Sequence, residues 1–165
     1  MISWPQSCGQ NGCLFLNRSQ SEMKTNPIEI EKNIYISQQI SVQDFPSLAD
    51  IGIKTVINNR PDGESEDQPS SEELENAAHN AGINYRHIPV IPGKLNSNHL
   101  EQFEEVLQST SSPVLAFCKS GLRAANLWAM HKSKHEKSGT IIDQAMKAGF
   151  DVEPLLKKIA RTETA

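Results

Sequence analysis

The run Pro113-Val114-Leu115-Ala116-Phe117, the loop Cys118-Lys119-Ser120-Gly121-Leu122-Arg123 behind it and the stretch Ala124–Lys132 constrain this chain more than any other part. A short apolar run between turn signals reads as a buried strand, and the alanine-rich stretch after the loop as a helix. In open α/β sheets such a strand-to-helix loop lies at the carboxyl end of the sheet, where sites form. Amide N–H groups at a helix start favour anions, and the same field, with a guanidinium nearby, favours a thiolate. Cys118 is therefore the candidate nucleophile. Lys119, Ser120, Gly121 and Leu122 are the candidate anion cradle, and Arg123 is a permanently charged clamp. Gly121 permits close backbone approach, and Ser120 brings a hydroxyl. Four residues separate Cys118 from Arg123.

The remaining pattern alternates strand and helix. Ile34-Tyr35-Ile36 reads as a short strand, and Ser41 with Asp44 as a helix start ahead of Phe45, Leu48 and Ala49, closed at Gly52. Ile53–Asn58 reads as a buried strand, then Pro61-Asp62-Gly63 as a turn. Ser70 and Glu73 form a second capping box, before a helix with Leu74, Ala77, Ala78 and Ala81 inward. Tyr85–Val90 reads as a strand. Asn98 with Glu101 opens a helix burying Leu100, Phe103, Val106 and Leu107, and two further helices follow around Ile141–Ala148 and Val152–Ile159. Strands that are short and apolar without clean alternation imply an α/β fold. We expect a central, mostly parallel sheet of four to five strands flanked by helices.

Composition excludes several classes. A net charge of -4 disfavours general nucleic-acid binding, and no apolar run is long enough to span a bilayer. We expect no nucleic-acid or membrane partner. Residues 1–22 lack the pattern of the rest and read as a disordered extension, with Met23 an alternative start; residues 23–165 form one domain. Three cysteines, only Cys118 in a patterned segment, point to a reducing compartment and a cytoplasmic protein. The histidines offer no convincing metal set, so neither metal nor cofactor is expected. Arg60 and Asp62, just past the end of the Ile53–Asn58 strand, are candidates for a second anion contact and an acid. Asp62 reads equally as a turn residue, and Glu64, Glu66 and Asp67 as a solvated acidic lip.

The segments Val56-Ile57-Asn58-Asn59-Arg60-Pro61-Asp62-Gly63-Glu64, Gln68-Pro69-Ser70 and Tyr85-Arg86-His87-Ile88-Pro89-Val90, together with the Cys118–Arg123 loop, resemble the phosphatase-like domain of beta-lactamase-hydrolase-like proteins. That bacterial family resembles dual-specificity protein phosphatases in fold and rhodaneses in its short loop, so the resemblance implies a cysteine-phosphatase fold. Tyrosine phosphatases place one more residue between cysteine and arginine, a histidine before the cysteine and a hydroxyl after the arginine. Here Phe117 and Ala124 stand at those flanks, and Ile88–Lys94 carries no carboxylate where those phosphatases keep their acid. An alkoxide leaving from phosphorus needs an acid, whereas sulfite or a thiolate leaves as an anion. The expectation is a sulfurtransferase that carries sulfur as a Cys118 persulfide between a small donor (thiosulfate or a low-molecular-weight persulfide) and a thiol acceptor. The alternatives are a phosphatase with a Cys118 thiophosphate and Asp62 as acid, or a non-catalytic oxyanion-binding module.

Overall fold

A computed structural model describes residues 25–164. The readings made for residues 1–22 lie outside the described residues. Five strands, β1 (Ile28–Glu31), β2 (Ile34–Ser37), β3 (Thr55–Asn58), β4 (Asn84–His87) and β5 (Val114–Phe117), form one sheet in the order β1-β2-β5-β3-β4. All pairings are parallel except that of edge strand β1 with β2. Ser37, Phe117 and Asn58 lie side by side, with His87 next to Asn58, so four strands end at one level. Cys118 and Arg60 both leave the sheet at that rim.

Among the described residues six α-helices cover the sheet: α1 (Phe45–Asp50), α2 (Ser71–Asn80), α3 (Ser97–Ser109), α4 (Leu122–Lys132), α5 (Ser138–Lys147) and α6 (Glu153–Glu163). Successive strand residues face opposite sides. Val56, Leu115 and Phe117 accordingly pack with Phe45, Leu48 and Leu74 from α1 and α2. Ile36, Ile57 and Ala116 pack with Phe103, Leu127, Trp128, Ile141 and Leu156 from α3 to α6. β3 and β5 are buried along their whole length, which explains why their sequences show no polar alternation. Trp128, fully buried, donates its indole N–H to Glu31 Oε2 at 3.0 Å and ties α4 to the edge strand.

Both capping boxes form. Asp44 accepts the Ser41 N–H at 2.8 Å, and Glu73 accepts that of Ser70 at 2.8 Å. The third helix differs from expectation: it starts at Ser97, capped by Asn96, whose Oδ1 accepts the N–H groups of Asn98 and His99. Strand β4 ends at His87 rather than Val90, because Pro89 has no N–H to donate. Edge strand β1, too short and mixed to be read from sequence, completes the sheet. Among the described residues no helix is long and apolar enough to cross a membrane.

Candidate active site

The loop after β5 holds Cys118 at its floor, with no exposed surface, and the Gly121 N–H donates to its Sγ at 3.1 Å. Gly121 caps α4 at a φ of +95°, in the left-handed region. A Cβ there would lie 2.8 Å from the Phe150 ring and 3.2 Å from the Ser37 carbonyl, so space and conformation both demand glycine. Lys119 is exposed, and its carbonyl accepts the Gln39 N–H at 3.2 Å. The Ser120 hydroxyl receives a long 3.4 Å contact from the Leu122 N–H, and the Leu122 side chain faces outward.

Arg123 leans back over the loop from the first turn of α4. Its Nη1 donates to Glu64 Oε2 at 2.6 Å and to the Val90 carbonyl at 2.9 Å, and its Nη2 to Glu64 Oε1 at 2.8 Å. A guanidinium has five N–H donors in a fixed plane. Three are thereby used on its end and outer edge. The remaining pair, on the Nε and Nη2 edge, has neither carboxylate nor carbonyl acceptor among the described residues. The Glu64 bonds raise the Arg123 pKa above the usual guanidinium value, against the opposing effect of burial, and Cys118 adds to the rise. The same bonds from Arg123, reinforced by Arg60, pull the Glu64 carboxyl down to about 2.

Arg60 reaches the same rim and is used differently. It is buried, and each of its three nitrogens has a protein acceptor: Nε donates to Glu64 Oε1 at 3.1 Å, Nη1 to Gln39 Oε1 at 3.0 Å and Nη2 to Ser65 Oγ at 3.1 Å. Its carbonyl meets His87 Nε2 at 2.9 Å. Asp62 is engaged at α2, its Oδ1 accepting the Ser71 N–H at 2.8 Å at the start of that helix.

The sheet rim is laced by neighbouring asparagines. The Asn59 N–H donates to the Phe117 carbonyl at 2.8 Å and its Nδ2 to the Ile88 carbonyl at 3.0 Å; the Val90 N–H returns to the Asn59 carbonyl at 3.0 Å. Val90 is thereby held where its carbonyl meets Arg123.

Sequence reasoning missed Glu64 and Gln39. Glu64 is no solvated lip residue: it bridges both arginines, because the Pro61-Asp62-Gly63 turn swings the chain back toward the loop. Its spacing of four from Arg60 was the available signal. Gln39, which binds Arg60 through its side chain and the Cys118 loop through its backbone, lies in an unpatterned segment that carried none. His131 pairs with Glu104 at 2.9 Å, and His99 accepts the Asn96 N–H at 3.2 Å. No group of three or more potential metal ligands occurs among the described residues.

The fold that carries this site has clear counterparts. The chain is 31% identical over 140 residues to a beta-lactamase hydrolase-like protein of Agrobacterium fabrum, covering 84% of this chain and 32% of the relative. It thus spans about a third of that protein's length. The crystal structure of nma1982 from Neisseria meningitidis, provisionally named a phosphatase, superposes with a TM-score of 0.72 at 31% identity, over 79% of this chain and 94% of that one. Kinase associated phosphatase shares the fold at 15% identity, with a TM-score of 0.62 over 78% of this chain and 85% of that one; its catalytic-site cysteine is replaced by serine in that structure. The model of the beta-lactamase hydrolase-like protein, phosphatase-like domain, matches residues 28–135, and the chain belongs to that family.

Proposed function

We propose that this domain is a cysteine-dependent enzyme that takes one sulfane sulfur from a small donor onto Cys118 and passes it to a thiol. One observation carries the reading: the two carboxylates that the sequence offers beside the loop, Glu64 and Asp62, are both engaged by other partners. Glu64 is ionised down to about pH 2 between two arginines, whereas a general acid works best with a pKa near the operating pH. Asp62 is bound to the start of α2, and residues 88–96 supply no carboxylate. Sulfur transfer needs no acid, since its leaving groups depart as anions.

In the first step the Cys118 thiolate attacks the outer sulfur of the donor. A new S–S bond forms, the donor's own bond to that sulfur breaks, and sulfite or a thiolate leaves with the electron pair. In the second step an acceptor thiolate attacks the outer sulfur of the Cys118 persulfide and restores the Cys118 thiolate. The Nε and Nη2 edge of Arg123 and the loop amides hold the negative charge in both steps. The four-residue spacing leaves a small cradle, suited to a single sulfur atom.

The family description and the cysteine-phosphatase neighbours favour a second reading, hydrolysis of a phosphate monoester through a Cys118 thiophosphate. The same protein preparation separates the two. Intact mass after incubation with thiosulfate or glutathione persulfide, with thiocyanate release on adding cyanide, reports sulfur transfer. Aryl phosphate hydrolysis whose decline at high pH is lost in Asp62→Asn reports the phosphatase. A sulfur adduct absent from Cys118→Ser is the expected result. Phosphate release without any adduct overturns the sulfur reading. Sulfate binding that survives Cys118→Ser and is lost in Arg123→Ala, with neither turnover, marks a binding module.

A further inference from the structure

Val152, which caps helix α6, and Leu155, Leu156 and Ile159 within it form one apolar stripe. Val152 and Leu156 enter the core and are almost fully buried, and Ile159 packs partly against them. Leu155 and Ile159, at the edge of that stripe, also line a groove of about 560 Å³ between α6, α4 and the segment after β4.

The groove continues directly into the active-site rim. Val90 and Arg123 form its inner end, and both already belong to the site. Leu95 and Met130 complete the apolar walls. Asn126, one turn of α4 beyond Arg123, also lines it, and its buried Oδ1 accepts no hydrogen bond from the protein. The outer mouth is polar, with Lys158, Thr162 and Glu163. Lys158 forms no ion pair among the described residues, in contrast to Lys157, which pairs with Glu153 at 2.8 Å. A volume of this size lies in the range of small-molecule sites, which combine apolar walls with a few placed polar groups. Thiosulfate alone would leave it empty.

We propose that the groove is the binding site for the apolar body of the substrate, and that the substrate is therefore an organic anion. Its reacting anionic head sits in the Cys118–Arg123 loop, and an alkyl or aryl body lies along Leu155 and Ile159. Two observations select this occupant over a protein segment. The groove shares Arg123 with the anion cradle and so borders it, within reach of one molecule. Its apolar walls carry an orphan acceptor and a polar mouth with Lys158 and Glu163, an arrangement that fits a compact amphiphile. The α6 wall lies outside residues 28–135, the stretch that the family model matches. The inference rests on the proposed sulfur transfer for the identity of the head group, an organic persulfide or thiosulfonate.

The test uses unreactive probes, so that groove and chemistry fail separately. Titration calorimetry on the full chain measures binding of methane-, butane- and octanesulfonate. A fully buried methylene contributes roughly threefold to fourfold in affinity, so at least about tenfold tighter binding of octanesulfonate over methanesulfonate is expected. That ratio falls toward one in Ile159→Glu and in Leu155→Gln; the second variant keeps the test valid if the first fails to fold. An octane-to-methane ratio near one in the unaltered protein overturns the groove, even if the sulfur adduct forms. A ratio retained in both folded variants overturns it equally. Chain-length-dependent binding in a protein that never forms a sulfur adduct leaves the groove standing and removes the sulfur chemistry instead.

Discussion

Two arginines stand at the same rim, and they are bound there in different ways. Arg60 is rooted in the segment after β3, and all three of its nitrogens have protein acceptors. Arg123 is rooted in the helix after β5; its end and outer edge are fixed by Glu64 and Val90, and one edge stays open beside Cys118. Both share the Glu64 carboxylate. An anion needs donors that are held rigidly yet unsatisfied, because only those donors gain a bond on binding. Each guanidinium uses three of its five donors. Arg123 keeps its Nε free of carboxylate and carbonyl acceptors among the described residues and acts on Cys118. We therefore take it as the clamp and the buried Arg60 as its foundation, whereas sequence proximity to strand ends made them look alike.

The sharpest way to break this distinction is to remove each guanidinium. Arg123→Met is expected to lower sulfur transfer by at least about 1000-fold, the scale seen when a principal charge stabiliser is removed, while the protein still folds. Arg60→Met strips acceptors Glu64, Gln39 and Ser65 of their shared donor at a buried position. A loss of about 3 kcal/mol in urea-unfolding free energy is expected. The activity remaining in the folded fraction should exceed that of Arg123→Met. If the two variants lose equal activity at equal stability, Arg60 contacts the substrate and the distinction fails.

Glu64 is the next lever, because it acts on both arginines. In Glu64→Gln the neutral amide keeps one acceptor but no charge, so Arg123 loses its fixed pose. A fall of about 10- to 100-fold in kcat is expected, with binding of a small anion such as sulfate less affected. The pH dependence follows from the depressed carboxyl. The folded protein holds the Glu64 proton less tightly than the unfolded chain does, with a pKa of about 2 against an ordinary 4.5. Its contribution to stability is therefore complete above about pH 4.5 and declines as the pH falls toward 2. Urea midpoints of the unaltered protein and Glu64→Gln should differ at pH 7 and converge as the pH approaches 2. A difference that persists unchanged across this range would show that Glu64 acts through packing alone.

What the sequence made legible follows the same division. The Cys118 loop and both capping boxes were readable because each is a local device: its residues lie within a few positions of one another, and its chemistry is fixed by that spacing. The partners of Arg123 were not. Glu64 lies 59 residues away, and its approach depends on a turn, a helix start and the order β5-β3 in the sheet. Val90 contributes a backbone carbonyl, which no residue type advertises. Gln39 acts from a stretch with no periodicity. The division of the α6 stripe between core and groove was hidden for another reason. Leu155 and Leu156 are adjacent leucines, and only the neighbouring helices decide which of them meets the core.

Asp62 gives the smallest expected effect and the finest discrimination between the two chemistries. Its carboxylate accepts a backbone N–H at the positive end of α2, an interaction with a helix terminus worth about 0.3 to 1 kcal/mol at an exposed position. Asn at this site keeps an acceptor oxygen and loses the charge, so Asp62→Asn should lower stability by no more than that. In a sulfur-transfer reaction, where no leaving group takes up a proton, the rate should change by less than about threefold. As the acid of a phosphate-ester hydrolysis, the same residue would contribute about 100-fold or more, and its removal would abolish the dependence on pH. Rates of thiocyanate formation and of aryl phosphate hydrolysis, measured on one preparation of Asp62→Asn against the unaltered protein, therefore weigh the region after β3 as scaffold against the same region as catalyst. A large loss in either reaction at unchanged stability would move Asp62 from the helix start into the chemistry, and would leave the loop after β5 no longer sufficient by itself.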